Sequence, residues 1–132
     1  MKMFFDRAKI KKKTDAATRK YLSKFGAFVR QTSRRSIRSN KGTSKPGKPP
    51  FSHSGLLKKF IYFGYDPHRH SVVIGPVVVS GKSGESLRAL ESGGTVRLSD
   101  GRNVEIQPRP FMGPAFVKEQ GKLASLWVNS IK

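Results

Sequence analysis

The chain has 132 residues and no cysteine, and its 27 lysines and arginines against 8 aspartates and glutamates leave a formal net charge of +19. A chain of this length is expected to form one domain over residues 1–132 around one modest core, and without thiols it holds neither disulfides nor thiolate metal sites, so the cell interior is its natural setting. The charge is lopsided: residues 1–59 carry 18 basic and 2 acidic residues, net +16, whereas residues 60–132 carry 9 and 6, net +3, an asymmetry that favours nucleic acid or an acidic protein surface as partner.

Residues 1–13 read as a basic N-terminal arm with an apolar tip, Phe4 and Phe5, poised to dock on a neighbouring subunit. Lys11, Lys12 and Lys13 stand where a secretory signal needs an apolar run, so no signal peptide is expected. From Thr14 or Asp15, either of which suits a helix cap, Ala17, Tyr21, Phe25, Phe28, Val29 and Thr32 recur at steps of three and four, with Arg19, Lys20, Lys24 and Arg30 turned elsewhere. This predicts an amphipathic helix over 14–38. Arg34, Arg35 and Arg38 at its end suit the negative pole of the helix dipole. The aromatics, at helical spacing, are core residues before they are stacking platforms for bases.

Residues 39–53 are rich in Gly, Pro, Ser and Lys and predict a long flexible basic loop that orders against a partner. Ser54 is placed to cap a short helical turn before a β-prone stretch, Phe60 to Tyr65. Asp66-Pro67-His68-Arg69 is a turn tetrad, and the β-branched run from Ser71 to Val79 completes an antiparallel hairpin. The apolar run Val72–Val79 is far shorter than the roughly twenty residues of a membrane span, so no membrane partner is expected. Gly75-Pro76 marks an edge, a bulge or the end of that strand. Ser83 to Glu91 fits two helical turns closed by Ser92-Gly93-Gly94. Thr95–Leu98 and Asn103–Ile106 flank Asp100-Gly101, a strong hairpin signal. Pro114 opens a final helix with an apolar stripe of Phe116, Leu123, Ala124, Trp127 and Ile131. The sum is an α+β fold: a small antiparallel sheet of two β-hairpins packed on one face by a long N-terminal and a C-terminal helix, with one short helix and a long basic loop (residues 54–132 forming the sheet and C-terminal helix).

Catalytic motifs are weak. Gly81-Lys82-Ser83 follows a β-prone run as a phosphate-binding loop would, but five residues separate Gly75 from Gly81 where that motif requires four. Asp66, His68 and His70 alternate as metal ligands on a strand would, yet Pro67 makes the segment a turn. Glu85, Glu91, Asp100, Glu105 and Glu119 show no acid–base pairing, and no serine sits in a nucleophile elbow. The expectation is no enzyme, no cofactor and no metal.

Three fragments carry a resemblance: Gly47-Lys48-Pro49-Pro50-Phe51-Ser52-His53-Ser54-Gly55-Leu56-Leu57, then Ala89-Leu90-Glu91-Ser92-Gly93-Gly94-Thr95, then Gln107-Pro108-Arg109-Pro110-Phe111-Met112-Gly113-Pro114-Ala115. In this order and spacing, behind a basic amphipathic helix, they resemble the putative tail-component family of long-tailed bacteriophages, the neck, tail-completion and minor tail proteins at the head-to-tail junction. The resemblance spans roughly residues 15–130. It implies a structural virion protein, assembled in the host cytoplasm, that joins the tail to the DNA-filled head in a homo-oligomeric ring, six-fold at the tail or twelve-fold at the portal. Its partners would be the neighbouring connector and the tail terminator or tail tube protein. In a ring subunit, Pro110, Phe111 and Met112 are placed either for a subunit contact, with Phe4 and Phe5, or in their own core. Lys11, Lys12, Lys13, Arg34, Arg35, Arg38, Lys41, Lys45 and Lys48 would meet packaged DNA or an acidic partner. The alternative from charge alone is a small sequence-independent nucleic-acid-binding protein using residues 1–59.

Overall fold

A computed structural model of the chain describes residues 7–77 and 81–130, with side chains at all of these except 81–85. The fold is α+β. A 30-residue helix, α1 (Arg7–Ser36), leads to a two-residue strand β1 (Arg38–Ser39) paired in parallel with β2 (Phe51–Ser52). One turn of helix, α2 (Leu56–Lys59), precedes the hairpin β3 (Ile61–Asp66) and β4 (Ser71–Pro76). Helix α3 (Gly81–Ser92) connects to a second hairpin, β5 (Gly94–Arg97) and β6 (Asn103–Ile106). The chain ends in α4 (Met112–Glu119), a tight turn Gln120–Lys122, and α5 (Leu123–Ser130).

The helix expected over 14–38 begins by Arg7, so Lys11, Lys12 and Lys13 belong to α1 and not to an arm. Lysine, arginine and alanine are good helix formers, and Thr14 is no cap: its hydroxyl donates back to the Ile10 carbonyl at 3.0 Å, one turn earlier in the helix. Phe4 and Phe5 lie outside the described residues.

The two hairpins do not merge into the single sheet expected. Each is a separate two-stranded ribbon. Pro76 ends β4 opposite Ile61, and a single further bond, from Val77 N–H to the Phe60 carbonyl at 2.8 Å, closes the pairing. The first hairpin packs on α1, and the second packs with α3.

Helix α1 is the spine against which the first hairpin, α4 and α5 rest. Gly26 faces the first hairpin so closely that an added Cβ would stand 2.8 Å from Val72 Cγ2 and 2.9 Å from Phe63 Cδ2. The preceding Phe25 meets α4, its ring edge-on to Phe116 at 5.7 Å between centroids, and Tyr21 meets α5 edge-on to Trp127 at 5.0 Å. Phe25, Val29 and Ala115 form one buried cluster with Val72, Ile74, Leu123 and Leu126 around it. Ile37, Ile61 and Phe111 form a second, flanked by Leu57 and Leu90, and Met112 touches both. Of the three aromatics read as core in the first helix, Phe28 is the exception: it is exposed, with Lys122 Nζ 4.6 Å from its ring centre.

The final helix expected as one piece is broken at Gln120–Lys122, around Gly121. Next to the break, Glu119 is buried, accepting from the Thr32 hydroxyl at 2.6 Å and pairing with Lys122 at 2.7 Å. These partners, Lys122 first, hold its carboxyl below the ordinary value of 4.5 against the opposing effect of burial.

Candidate functional site

Two regions stand out, a clasp formed by the three sequence fragments and a basic face along α1.

In the clasp, Glu91 at the end of α3 turns its carboxylate onto the start of α4. Its Oε2 accepts the N–H groups of Phe111 at 3.0 Å and Met112 at 3.1 Å, and Oε1 accepts that of Gly113 at 2.7 Å. A helix start leaves such N–H groups without partners, and a carboxylate there also meets the positive end of the helix dipole. Glu91 is therefore a cap supplied from 20 residues upstream. The same connection is reinforced when Arg109 N–H donates to the Leu90 carbonyl at 2.6 Å. Gly93 turns the chain with φ +77°, in a space where a Cβ would lie 3.1 Å from Pro108 Cδ.

The first fragment joins the same knot. Gly47 N–H donates to the Pro108 carbonyl at 2.8 Å, and Arg109 Nε donates to the carbonyl of buried Ser44 at 2.9 Å. The 39–53 segment thus corrects the expectation of a flexible loop: its ends are tied by the β1–β2 pairing and its middle is pinned to residues 108–109 of its own chain. Of the two placements open to Pro110, Phe111 and Met112, the core takes Phe111, which is 1% exposed inside the second cluster, with Pro110 and Met112 half-buried beside it. Burying a phenylalanine in the core contributes about 2 to 3 kcal/mol, which a surface position forgoes.

The basic residues singled out in the sequence are spread over α1, β1 and the pinned loop. Lys11, Lys12 and Lys13 are exposed on the first turns of α1, Arg34 and Arg35 sit in its last turn, and Arg38 is exposed in β1. Lys41, Lys45 and Lys48 are exposed on the pinned loop. The structure brings Arg34 and Arg35 together with Arg30, Gln31, Ala27 and Lys58 around a cleft of about 430 Å³ between α1 and α2. Arg30 is fixed there by its Nε, which donates to the Ile61 carbonyl at 2.7 Å, and by its stacking over Tyr62 at 5.5 Å.

Asp66 is occupied as a turn former, its Oδ1 accepting the N–H of His68 at 2.9 Å and of Arg69 at 3.3 Å. No group of three histidines and carboxylates suited to a metal occurs among the described residues, and no described helix is long and apolar enough to cross a membrane.

Sequence reasoning missed Glu91, Arg109, Arg30 and Lys58. For Arg30 the signal was present, since positions 30, 31, 34 and 35 share one strip of a helix. For Glu91 the signal was its place within a fragment already singled out. Lys58 joins the cleft through tertiary packing alone. Comparison with family models, with curated proteins and with solved structures finds no match to this chain.

Proposed function

We propose that this protein is a structural, non-catalytic component of the head-to-tail junction of a long-tailed bacteriophage, a neck or tail-completion protein that works in the virion as a ring, six-fold in preference to twelve-fold. The observation that carries this reading is the convergence of the three fragments behind the family resemblance. They are tied to one another by Gly47 to Pro108, Ser44 to Arg109 and Glu91 to residues 111–113. The resemblance thus rests on one joined structural unit, in which the first and second fragments are each tied to the third.

A ring subunit also needs a surface for its own copies. With Phe111 internal, the support for one comes from α4 and α5, where Phe116, Val117 and Val128 are exposed apolar side chains. The neighbouring connector and the tail terminator or tail tube protein are the partners that would cap such a ring. The test is co-assembly: mixed with those proteins and treated with nuclease, the chain is expected in ring-shaped particles by electron microscopy. A chain that stays monomeric with every candidate overturns the reading.

A second reading, sequence-independent nucleic-acid binding, is favoured by the all-cationic character of the cleft between α1 and α2. Charge reversal at Lys11, Lys12, Arg34 and Arg35 is then expected to abolish function through loss of DNA binding; normal function in that variant contradicts it.

A further inference from the structure

From the geometry of the α1–α2 cleft we infer that it is a phosphate site that seats the backbone of a nucleic acid. The inference rests on the nucleic-acid reading for its partner and on the cleft for its place. Every charged residue in the lining is a cation: Arg30, Arg34, Arg35 and Lys58. Arg34, Arg35 and Lys58 make no ion pair among the described residues, so their charge is not spent within the fold.

The arrangement exceeds what a helix end requires. Cations in the last turn of α1 offset its dipole, which accounts for Arg34 and Arg35, but Arg30 lies a full turn earlier and Lys58 comes from α2. Like charges one turn apart, as at Arg30 and Arg34, disfavour a helix, and a bound anion relieves that repulsion. Arg30 is preorganised: with its Nε on the Ile61 carbonyl and its plane over Tyr62, its terminal nitrogens are held in place to donate. Guanidinium groups match phosphate oxygens in a bidentate fork, while lysine adds a point charge.

A polymer of phosphates fits better than an acidic protein. The cleft lining has no aromatic or large aliphatic residue of the kind that anchors protein interfaces. Beyond the cleft, the same strip of α1 continues with exposed Lys24, Lys20 and Lys13 over a helix about 45 Å long. A repeating anion meets that series of charges along its length; a discrete carboxylate cluster does not.

The experiment is fluorescence anisotropy of a short labelled DNA duplex with the full chain, titrated over a range of potassium chloride concentrations. Three variants are compared with the wild type: R34Q/K58Q in the cleft, K11Q/K12Q with equal charge removed at the other end of α1, and R34K, which keeps charge and loses the fork. The cleft pair is expected to weaken binding by about ten-fold more than the K11Q/K12Q pair and to lower the slope of log K against log salt by about 2. R34K is expected to fall between wild type and the cleft pair. Thermal unfolding of each variant confirms that the fold is kept. Equal losses in both double variants overturn the cleft site while leaving nucleic-acid binding in place. No duplex binding by the wild type even at low salt overturns the nucleic-acid reading and this inference with it.

Discussion

The clasp and the basic face show opposite ways of treating charge. In the clasp a single carboxylate, Glu91, meets three backbone N–H donors, and Arg109 is spent on the Ser44 and Gln107 carbonyls. On the α1–α2 cleft, four cations line one cavity, and only Arg30 is held by its neighbours. Charge satisfied inside the chain serves the fold, and charge left unspent at a surface calls for something outside it. The unpaired cations of the cleft therefore contribute little to stability, and one of the few acidic residues contributes much.

Substitutions in the two regions sharpen that contrast, and the largest effect is expected at Glu91. Glu91→Ala removes a carboxylate that caps three N–H groups and is expected to cost about 3 kcal/mol in urea unfolding. Glu91→Gln retains an acceptor and should cost less; no loss at all in Glu91→Gln would mean that the charge at the start of α4 is irrelevant. Next comes the α1–hairpin contact. Gly26→Ala gains helix propensity but drives a Cβ into Val72 and Phe63, for a net loss of about 1 to 2 kcal/mol by the same measurement. Gly93→Ala is expected to cost about 1 kcal/mol, from the positive φ and the approach to Pro108. On the other side of the comparison, Lys11→Gln and Arg35→Gln should leave stability within about 0.5 kcal/mol of wild type. A large loss there would break the division between a folding region and a binding region.

Acid exposes a third, smaller effect. Because the folded protein holds the Glu119 carboxyl below its ordinary 4.5, its contribution is present above that value and is lost as pH falls through the depressed one. The urea midpoint of the wild type is expected to drop over that acidic window. In Glu119→Gln this part of the pH dependence should disappear, and an unchanged profile would assign it to other carboxylates.

Much of the fold was legible in the sequence, because its elements announce themselves locally. The 3.6-residue spacing of Ala17, Tyr21, Phe25 and Val29 marks α1, and Asp66-Pro67 and Asp100-Gly101 mark the two hairpin turns. What stayed hidden depends on contacts between distant residues. Gly and Pro in 39–53 signal irregular backbone, and nothing in them tells that Gly47 will find the Pro108 carbonyl. Phe111 between prolines looks alike whether it faces a neighbour or its own core, and packing against Ile37 and Ile61 decides the matter. The basic positions of the candidate site were readable one by one. Their gathering with Lys58 was not, because it follows from where α2 comes to rest.

The joining role is tested most directly by electron microscopy of particles made when this gene is disrupted in a phage that carries it. Filled heads lying apart from finished tails are the expected result. Normal joined virions would contradict the role and move the proposal of nucleic-acid binding to first place.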